Sequence, residues 1–373
     1  MSYAELTDYF NATFNETEEI TSKIQVQITF YIFYGSIFLL GICGNALVCF
    51  VVMRNKQMHT VTNFLITNLA LSDILLCVLA VPFTPLYTFL GAWIFGATLC
   101  RLVPYAQGVS VYISTFTLTS IAIDRFLVIL YPFRPRMKIQ VCQMIIVGIW
   151  FVALGLTLPY GLYRKMDRSE NLCEEIWPNE HFRRVFSTIT TVLQFVVPFC
   201  VITLCYIFVS IKLNSRIRMR PGCNASRREE ADRERKRRTN RMLIAMVAIF
   251  GISWLPLNLI NVIEDFYSNA NDWPPFKFCF FLAHSIAMSS TCYNPFLYAW
   301  LNENFRKEFK QVLPCFSRTL GNGTSRNIEG CRNGNDTVQE SLLPIPTSKQ
   351  NNTSCEMISL EPVNSEASKD QQN

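Results

Sequence analysis

The sequence predicts an all-α membrane protein, a seven-transmembrane helix bundle with a short amphipathic helix after the seventh span. Three observations carry that prediction. Half of the 373 residues are apolar and only 17% are charged, a low share for a water-soluble chain of this length. The apolar residues, 29 phenylalanines among them, gather in long blocks. Seven of those blocks reach the roughly 20 residues that a helix needs to cross a hydrocarbon core about 30 Å thick.

The blocks run approximately over 27–53, 61–88, 97–130, 139–160, 184–213, 238–266 and 276–301. Lipid offers backbone groups no hydrogen-bond partner, so segments of this length and apolarity are expected to be helices. The chain then divides into an N-terminal tail (1–26), a seven-span domain (27–302), an amphipathic helix (303–316) and a polar tail (317–373). Residues 1–23 are polar and acidic, so the first span is expected to act as its own insertion signal.

An odd number of spans puts the two termini on opposite sides, and cations decide which side is which. The connections after the first, third and fifth spans carry Arg54, Lys56, Arg134, Arg136 and Lys138, then a dense run from Lys212 to Arg241. That face is expected in the cytoplasm. The opposite set holds Glu5, Asp8, Glu16, Glu18, Glu19, Glu174, Glu175 and Asp272, and the N-terminus is expected outside the cell, at the plasma membrane. Asn11-Ala-Thr and Asn15-Glu-Thr fit glycosylation sequons on the outer tail.

Fourteen cysteines would suggest a disulfide framework in a short secreted protein, but most lie inside the apolar blocks and read as small buried side chains. No paired CxxC spacing occurs and there are only three histidines, which argues against a protein metal cluster. After the last block, Phe305, Phe309, Val312 and Leu313 fall on one helical face with Arg306, Lys307 and Lys310 among them, the pattern of a helix lying on the inner membrane lipid. Cys315 at its end is a candidate palmitoylation site or an unmodified thiol. The tail beyond has the composition of a disordered segment.

Polar residues inside the spans single themselves out, because a carboxylate at mid-membrane costs about 2.5–3.5 kcal/mol on insertion scales. Asp73 stands in the middle of the second span and needs polar company from Asn45, Ser114 or Asn294. A water cluster or a sodium ion would complete its shell; a purely structural polar knot between helices is the other reading. Asp124-Arg125 closes the third span at the inner boundary, where Arg125 reads equally as a switchable ion-pair partner or as a cation anchoring the helix end. Pro82, Pro159, Pro198, Pro256 and Pro295 place bends in five spans. In the sixth and seventh, Trp254-Leu-Pro256 and Asn294-Pro295-Phe-Leu-Tyr298 join the bend to a large or polar handle.

Gly44-Asn45, Leu69-Ala-Leu-Ser-Asp73, Asp124-Arg125-Phe126, Trp150, Trp254-Leu-Pro256 and Asn294-Pro-Phe-Leu-Tyr298, in order, resemble the motif set of rhodopsin-like G-protein-coupled receptors. The resemblance covers residues 27 to about 316. Phe126 stands where that family usually has Tyr, and Ser253 where Cys is usual. It implies a disulfide between Cys100 and Cys173, and an activation switch built from Asp124, Arg125, Trp254, Pro256, Pro295 and Tyr298.

A narrower resemblance is to receptors of the neuropeptide Y and neuropeptide F group, through Trp93-Ile-Phe-Gly, Pro104-Tyr-Ala-Gln107-Gly108, Glu175-Ile-Trp177-Pro178 and His284-Ser-Ile-Ala-Met-Ser289. Gln107 stands where amine receptors usually place an Asp, which argues against a monoamine ligand. Carried over residue by residue, the group's peptide contacts fall on Thr84, Tyr87, Gln107, Gln194, Asn261, Asp265 and His284. Ordinary helix packing is the competing reading, above all for Thr84 and Gln194. The expected ligand is an amidated neuropeptide ending in Arg and an aromatic residue, the Arg meeting Asp265 as a bidentate partner.

The basic run Arg233-Glu-Arg-Lys-Arg-Arg238 is expected to extend the sixth helix as a surface for a heterotrimeric G protein, by resemblance the inhibitory class, or as an anchor to anionic lipid. It is tethered between spans and lacks an aromatic platform, so nucleic acid is not an expected partner. Thr347, Ser348, Thr353 and Ser354 are candidate kinase sites, with arrestin as the consequent partner. The rival readings are a receptor for another peptide family, RFamide or tachykinin-like, and a membrane transporter, for which internal repeats are missing. No nucleophile and base pair suggests an enzyme.

Overall fold

The structure is a computed structural model that describes residues 23–131, 133–167, 169–218, 227–267 and 275–312. Asn11, Asn15, Cys315 and the tail from 317 fall outside these residues. The first span is α1 (Ile24–Arg54), followed by a short 3-10 turn, Lys56–Met58. The second begins as α2 (Val61–Leu79), capped by Thr60, whose hydroxyl accepts the amide of Asn63 at 3.3 Å. The sequence predicts one continuous helix to residue 88. Instead Pro82 stops it, because its ring nitrogen cannot donate and its ring crowds the carbonyl four residues back. The amide of Val81 reaches five residues back to Leu76, and the span resumes as α3 (Phe83–Leu90), ended by Gly91 at φ 65°.

The third span is α4 (Gly96–Leu130) and the fourth α5 (Ile139–Leu162). Between the fourth and fifth lies an antiparallel hairpin, β1 (Arg164–Asp167) with β2 (Leu172–Glu175), in which Met166 pairs Cys173. This hairpin is the β structure among the described residues, and apolar patterning gives no sign of it. The fifth span is α6 (Glu180–Thr191), a π turn over Val192–Val196, and α7 (Val197–Arg218). The widened turn sits just before Pro198, which cannot donate to Gln194. α6 starts four residues earlier than the apolar block at 184, because Asn179 caps it by accepting the amide of Phe182 at 2.6 Å.

The sixth span, α8 (Arg227–Phe266), runs 40 residues, so the basic run does extend it, by several turns. The seventh is α9 (Pro275–Leu301), and α10 (Glu303–Val312) follows it; the expected end at 316 lies outside the described residues. Among the described residues, six helices are long and apolar enough to cross a membrane by length and composition alone. α9 has the length but dilutes its apolar residues with His284, Ser285, Ser289, Ser290, Thr291 and Asn294.

These polar side chains are where an inside-out protein puts them. α4 runs through the bundle, packed on α2, α5 and α7, while α9 packs on α8 and α1. Buried among them are Asn45, Asn68, Ser72, Asp73, Ser110, Ser114, Thr115 and Thr117. Outside, Phe151 is 80% and Met144 73% exposed on α5, a surface that only lipid accommodates. On the inside, Ser110 donates to the Ser72 carbonyl at 2.6 Å, Asn68 to Thr117 at 2.8 Å, and Trp150 to Asn68 at 2.8 Å. Gly44 lets α9 approach α1: a Cβ there would stand 2.9 Å from Pro295 Cγ.

Candidate functional site

At the end of the bundle that carries the hairpin, the helices part around a cavity of about 580 Å³. All seven of the peptide-contact candidates line it: Thr84 and Tyr87 from α3, Gln107 from α4, Gln194 from the π turn, Asn261 and Asp265 from α8, and His284 from α9. They come from five separate stretches of chain, so their convergence is a property of the fold.

The roof is pinned in three places. Cys100 on α4 is disulfide-bonded to Cys173 on β2, as the resemblance implied. The amide of Cys173 also donates to the Tyr87 hydroxyl at 3.4 Å, and the amide of Trp93 to the Asn171 carbonyl at 2.6 Å. Tyr87 packs edge-on to Trp93 with ring centroids 5.3 Å apart, so this cavity-lining tyrosine also supports the roof.

The charged side chains on the wall come from the hairpin, α6 and α8, and several are paired with one another. Arg164 holds Glu175 at 2.9 Å. Asp265, 7% exposed, is gripped from the fifth span: Arg183 Nη1 donates to its Oδ1 at 2.7 Å and the Ser187 hydroxyl donates to its Oδ2. Asp265, read from the sequence as the partner of a ligand arginine, thus already holds an arginine of the receptor itself. Arg183 and Ser187 went unsuspected. Their spacing of four residues, with a cation opening an outer span end, is the only sign of them in the sequence.

Gln107, Gln194, Trp254, Leu257 and Asn258 line the wall with no formal charge. The amides of Gln107 and Gln194 are half-buried and bond no other side chain among the described residues. His284 lines the cavity but is 2% exposed, and its Nδ1 pairs with the Tyr34 hydroxyl on α1 at 2.8 Å. That bond gives it a structural duty as well.

Trp254 couples the cavity to the interior, donating its indole N–H to Ser290 on α9 at 3.1 Å, in the stretch of helix before Pro295. Asp73 is buried and accepts from Asn294 at 2.9 Å. Of its three expected companions only Asn294 is a described partner. Asn45 turns its amide to the carbonyls of Gly41 and Thr291, each at 2.9 Å, and Ser114 pairs with Ser72 at 2.8 Å. Each of these bonds satisfies a buried polar group. Asn45 Oδ1 stays buried with no hydrogen-bond partner among the described residues.

At the opposite end, Arg125 pairs with Asp124 at 3.1 Å and donates to the Thr62 hydroxyl on α2. The Tyr298 hydroxyl is buried without a hydrogen-bond partner among the described residues, while its ring stacks on Phe305 of α10 at 5.3 Å.

A profile of the family described as 7 transmembrane receptor (rhodopsin family) matches residues 44–298, which span well over half of the chain and every span. The chain belongs to that family. As a member of the rhodopsin family it is a multi-pass membrane receptor, in a family of receptors and not of enzymes, and the transporter reading falls away. Among its relatives is the pig protein named neuropeptide Y receptor type 2, 36% identical over 337 residues, covering 86% of this chain and 87% of that one. The human protein of that name is 37% identical over 313 residues, 81% of each chain. The chicken protein of that name is 36% identical over 313 residues, 81% of this chain and 80% of its own.

Proposed function

We propose that this rhodopsin-family receptor binds an amidated peptide of the neuropeptide Y or F type and passes the signal to a heterotrimeric G protein. The observation that carries the reading is the chemical division of one cavity, with Asp265 on one part of its wall and the uncharged amides of Gln107 and Gln194 on another. A guanidinium suits the first and a neutral carboxamide the second. An RFamide or tachykinin-like peptide is the alternative ligand. The relatives' names favour the neuropeptide Y type.

In this proposal the N-terminus faces outside the cell at the plasma membrane, and the hairpin roofs the outer opening. Peptide binding favours one of two arrangements of the helices. Trp254, bonded to Ser290, and the bends at Pro256 and Pro295 are the moving parts, with Tyr298 as the inner handle. Arg125 exchanges its Asp124 and Thr62 partners for the G protein as the basic end of α8 swings outward. The inhibitory G-protein class, a kinase and arrestin acting on the tail, glycans on Asn11 and Asn15, palmitate on Cys315 and inner-leaflet lipid along α10 complete the proposal. Asp73 is the anionic donor for a sodium ion, with the unpaired Asn45 Oδ1 a second buried oxygen on the neighbouring helix.

The test is agonist-dependent nucleotide exchange in membranes containing the receptor, across a panel of amidated peptides and their free-acid counterparts. An Arg-aromatic-amide peptide should activate, its free acid should not, and Asp265→Ala should lose the response. Equal activation by amide and acid would defeat the reading.

A further inference from the structure

We propose that Arg183 is a ligand-selecting residue, an internal cation that occupies Asp265 until the arginine of a bound peptide displaces it. This inference rests on the docking of a ligand arginine at Asp265 given above. Three features of the geometry point to it.

First, the carboxylate is fully claimed by one element. Arg183 donates to Oδ1 at 2.7 Å and Ser187, one turn later on α6, donates to Oδ2. A ligand guanidinium wanting both oxygens in a parallel pair of bonds meets another guanidinium already there. Second, both residues line the cavity, so the exchange takes place where the ligand sits.

Third, Arg183 has a second partner to fall back on. Its Nε and Nη2 both lie 3.0 Å from Glu180 Oε2, one turn earlier on the same helix. Released from Asp265, Arg183 stays paired, and no charge is orphaned in a half-buried place. A ligand arginine therefore exchanges one ion pair for another of the same kind. Its net gain is smaller than an unengaged Asp265 would give, and a ligand with a neutral side chain there has no reason to open the pair. The remaining charged neighbours do not repeat this arrangement. Arg164 is committed to Glu175 at 2.9 Å, and Arg184 acts on Asp265 only through space.

The partition between Asp265 and Glu180 sets apparent affinity. When the competent state is a fraction of the whole, the apparent Kd rises by the inverse of that fraction. With Asp265 held closed about four-fifths of the time, only about one-fifth of the receptor is competent, and the apparent Kd for an arginine peptide rises about fivefold.

The experiment measures binding of two probes to the full-length receptor in membranes: an amidated hexapeptide ending in Arg-Tyr-amide, and the same peptide with citrulline, the neutral isostere, for Arg. Arg183→Gln should tighten the Arg probe about fivefold and leave the citrulline probe unchanged, the second probe confirming that the variant folds. Glu180→Gln, which removes the fallback partner, should weaken the Arg probe, and the double variant should behave as Arg183→Gln alone. Arg183→Lys should fall between wild type and Arg183→Gln. An Arg183→Gln receptor that binds the citrulline probe normally and the Arg probe no more tightly overturns the inference. Asp265→Asn separates this from failure of the docking itself. If it abolishes the preference for Arg over citrulline, the docking stands. If it leaves that preference intact, or if no variant binds the Arg probe, both the docking and the role of Arg183 are wrong.

Discussion

The Arg238 guanidinium on α8 lies 2.8 Å from the Glu303 carboxylate at the start of α10, and its other nitrogen donates to the Trp300 carbonyl at 2.8 Å. The charged end of the sixth span is thereby tied to the end of the seventh. Any outward swing of α8 must break both bonds. Arg125, by contrast, is described as paired only with Asp124 and Thr62, on its own helix and on α2.

Glu303→Gln should therefore raise ligand-free nucleotide exchange. The pair is partly exposed, with side chains 26% and 43% accessible, so it contributes about 0.2–1 kcal/mol and the basal rate should rise about 1.5- to 5-fold. Combining Arg238→Glu with Glu303→Arg should bring the basal rate back toward wild type by restoring the ion pair, though not fully, since a carboxylate at 238 cannot donate to the Trp300 carbonyl. A basal rate indifferent to Glu303 would mean that the tie does not restrain α8.

Gly44 and Gly148 form a matched pair of tests for helix packing. Alanine at Gly44 puts a methyl 2.9 Å from Pro295 Cγ, in a ring that the helix backbone holds still, whereas alanine at Gly148 meets nothing within 4 Å. Gly44→Ala should destabilise by about 1–3 kcal/mol, and Gly148→Ala should be neutral or slightly stabilising. Thermal unfolding of the detergent-solubilised receptor measures both.

Trp150→Phe removes one interhelical bond, the indole N–H to Asn68, and keeps the ring. Bonds of this kind within membranes average about 0.6 kcal/mol and reach about 1.7. The variant should lose stability in that range with ligand affinity unchanged.

Cys173→Ser should free the hairpin from α4 while the Tyr87 and Trp93 bonds to the loop remain. Peptide affinity should fall at least tenfold, about 1.4 kcal/mol, since the roof then adds an ordering cost to each binding event. Unchanged affinity in radioligand binding would show that the two weak bonds hold the roof alone.

What the sequence made legible follows from the lipid solvent. Seven apolar blocks located the spans to within a few residues at most ends, because hydrocarbon thickness dictates length. The basic run announced that α8 continues beyond the membrane, though not that it starts as far back as Arg227. Pro82 was visible as a bend but not as a full break, since neighbouring contacts decide between a kink and a stop. All seven cavity candidates reached one cavity, yet they came from resemblance. Periodicity alone does not tell a pocket glutamine such as Gln107 from a packed one. Side-chain pairing was the least legible. Nothing local distinguishes Asn45, which turns to Gly41 and Thr291, from Asn294, which meets Asp73. The Arg183 pair likewise joins residues 82 apart in sequence.

The most direct measurement is a double-mutant cycle between receptor and ligand, pairing Asp265→Asn with citrulline for the peptide arginine and reading affinity for all four combinations. Strong coupling is expected, each single change costing affinity and the second adding little once the first is made, with a coupling energy of at least about 1.5 kcal/mol. Two changes that simply add would contradict it, for the arginine and Asp265 would then act apart.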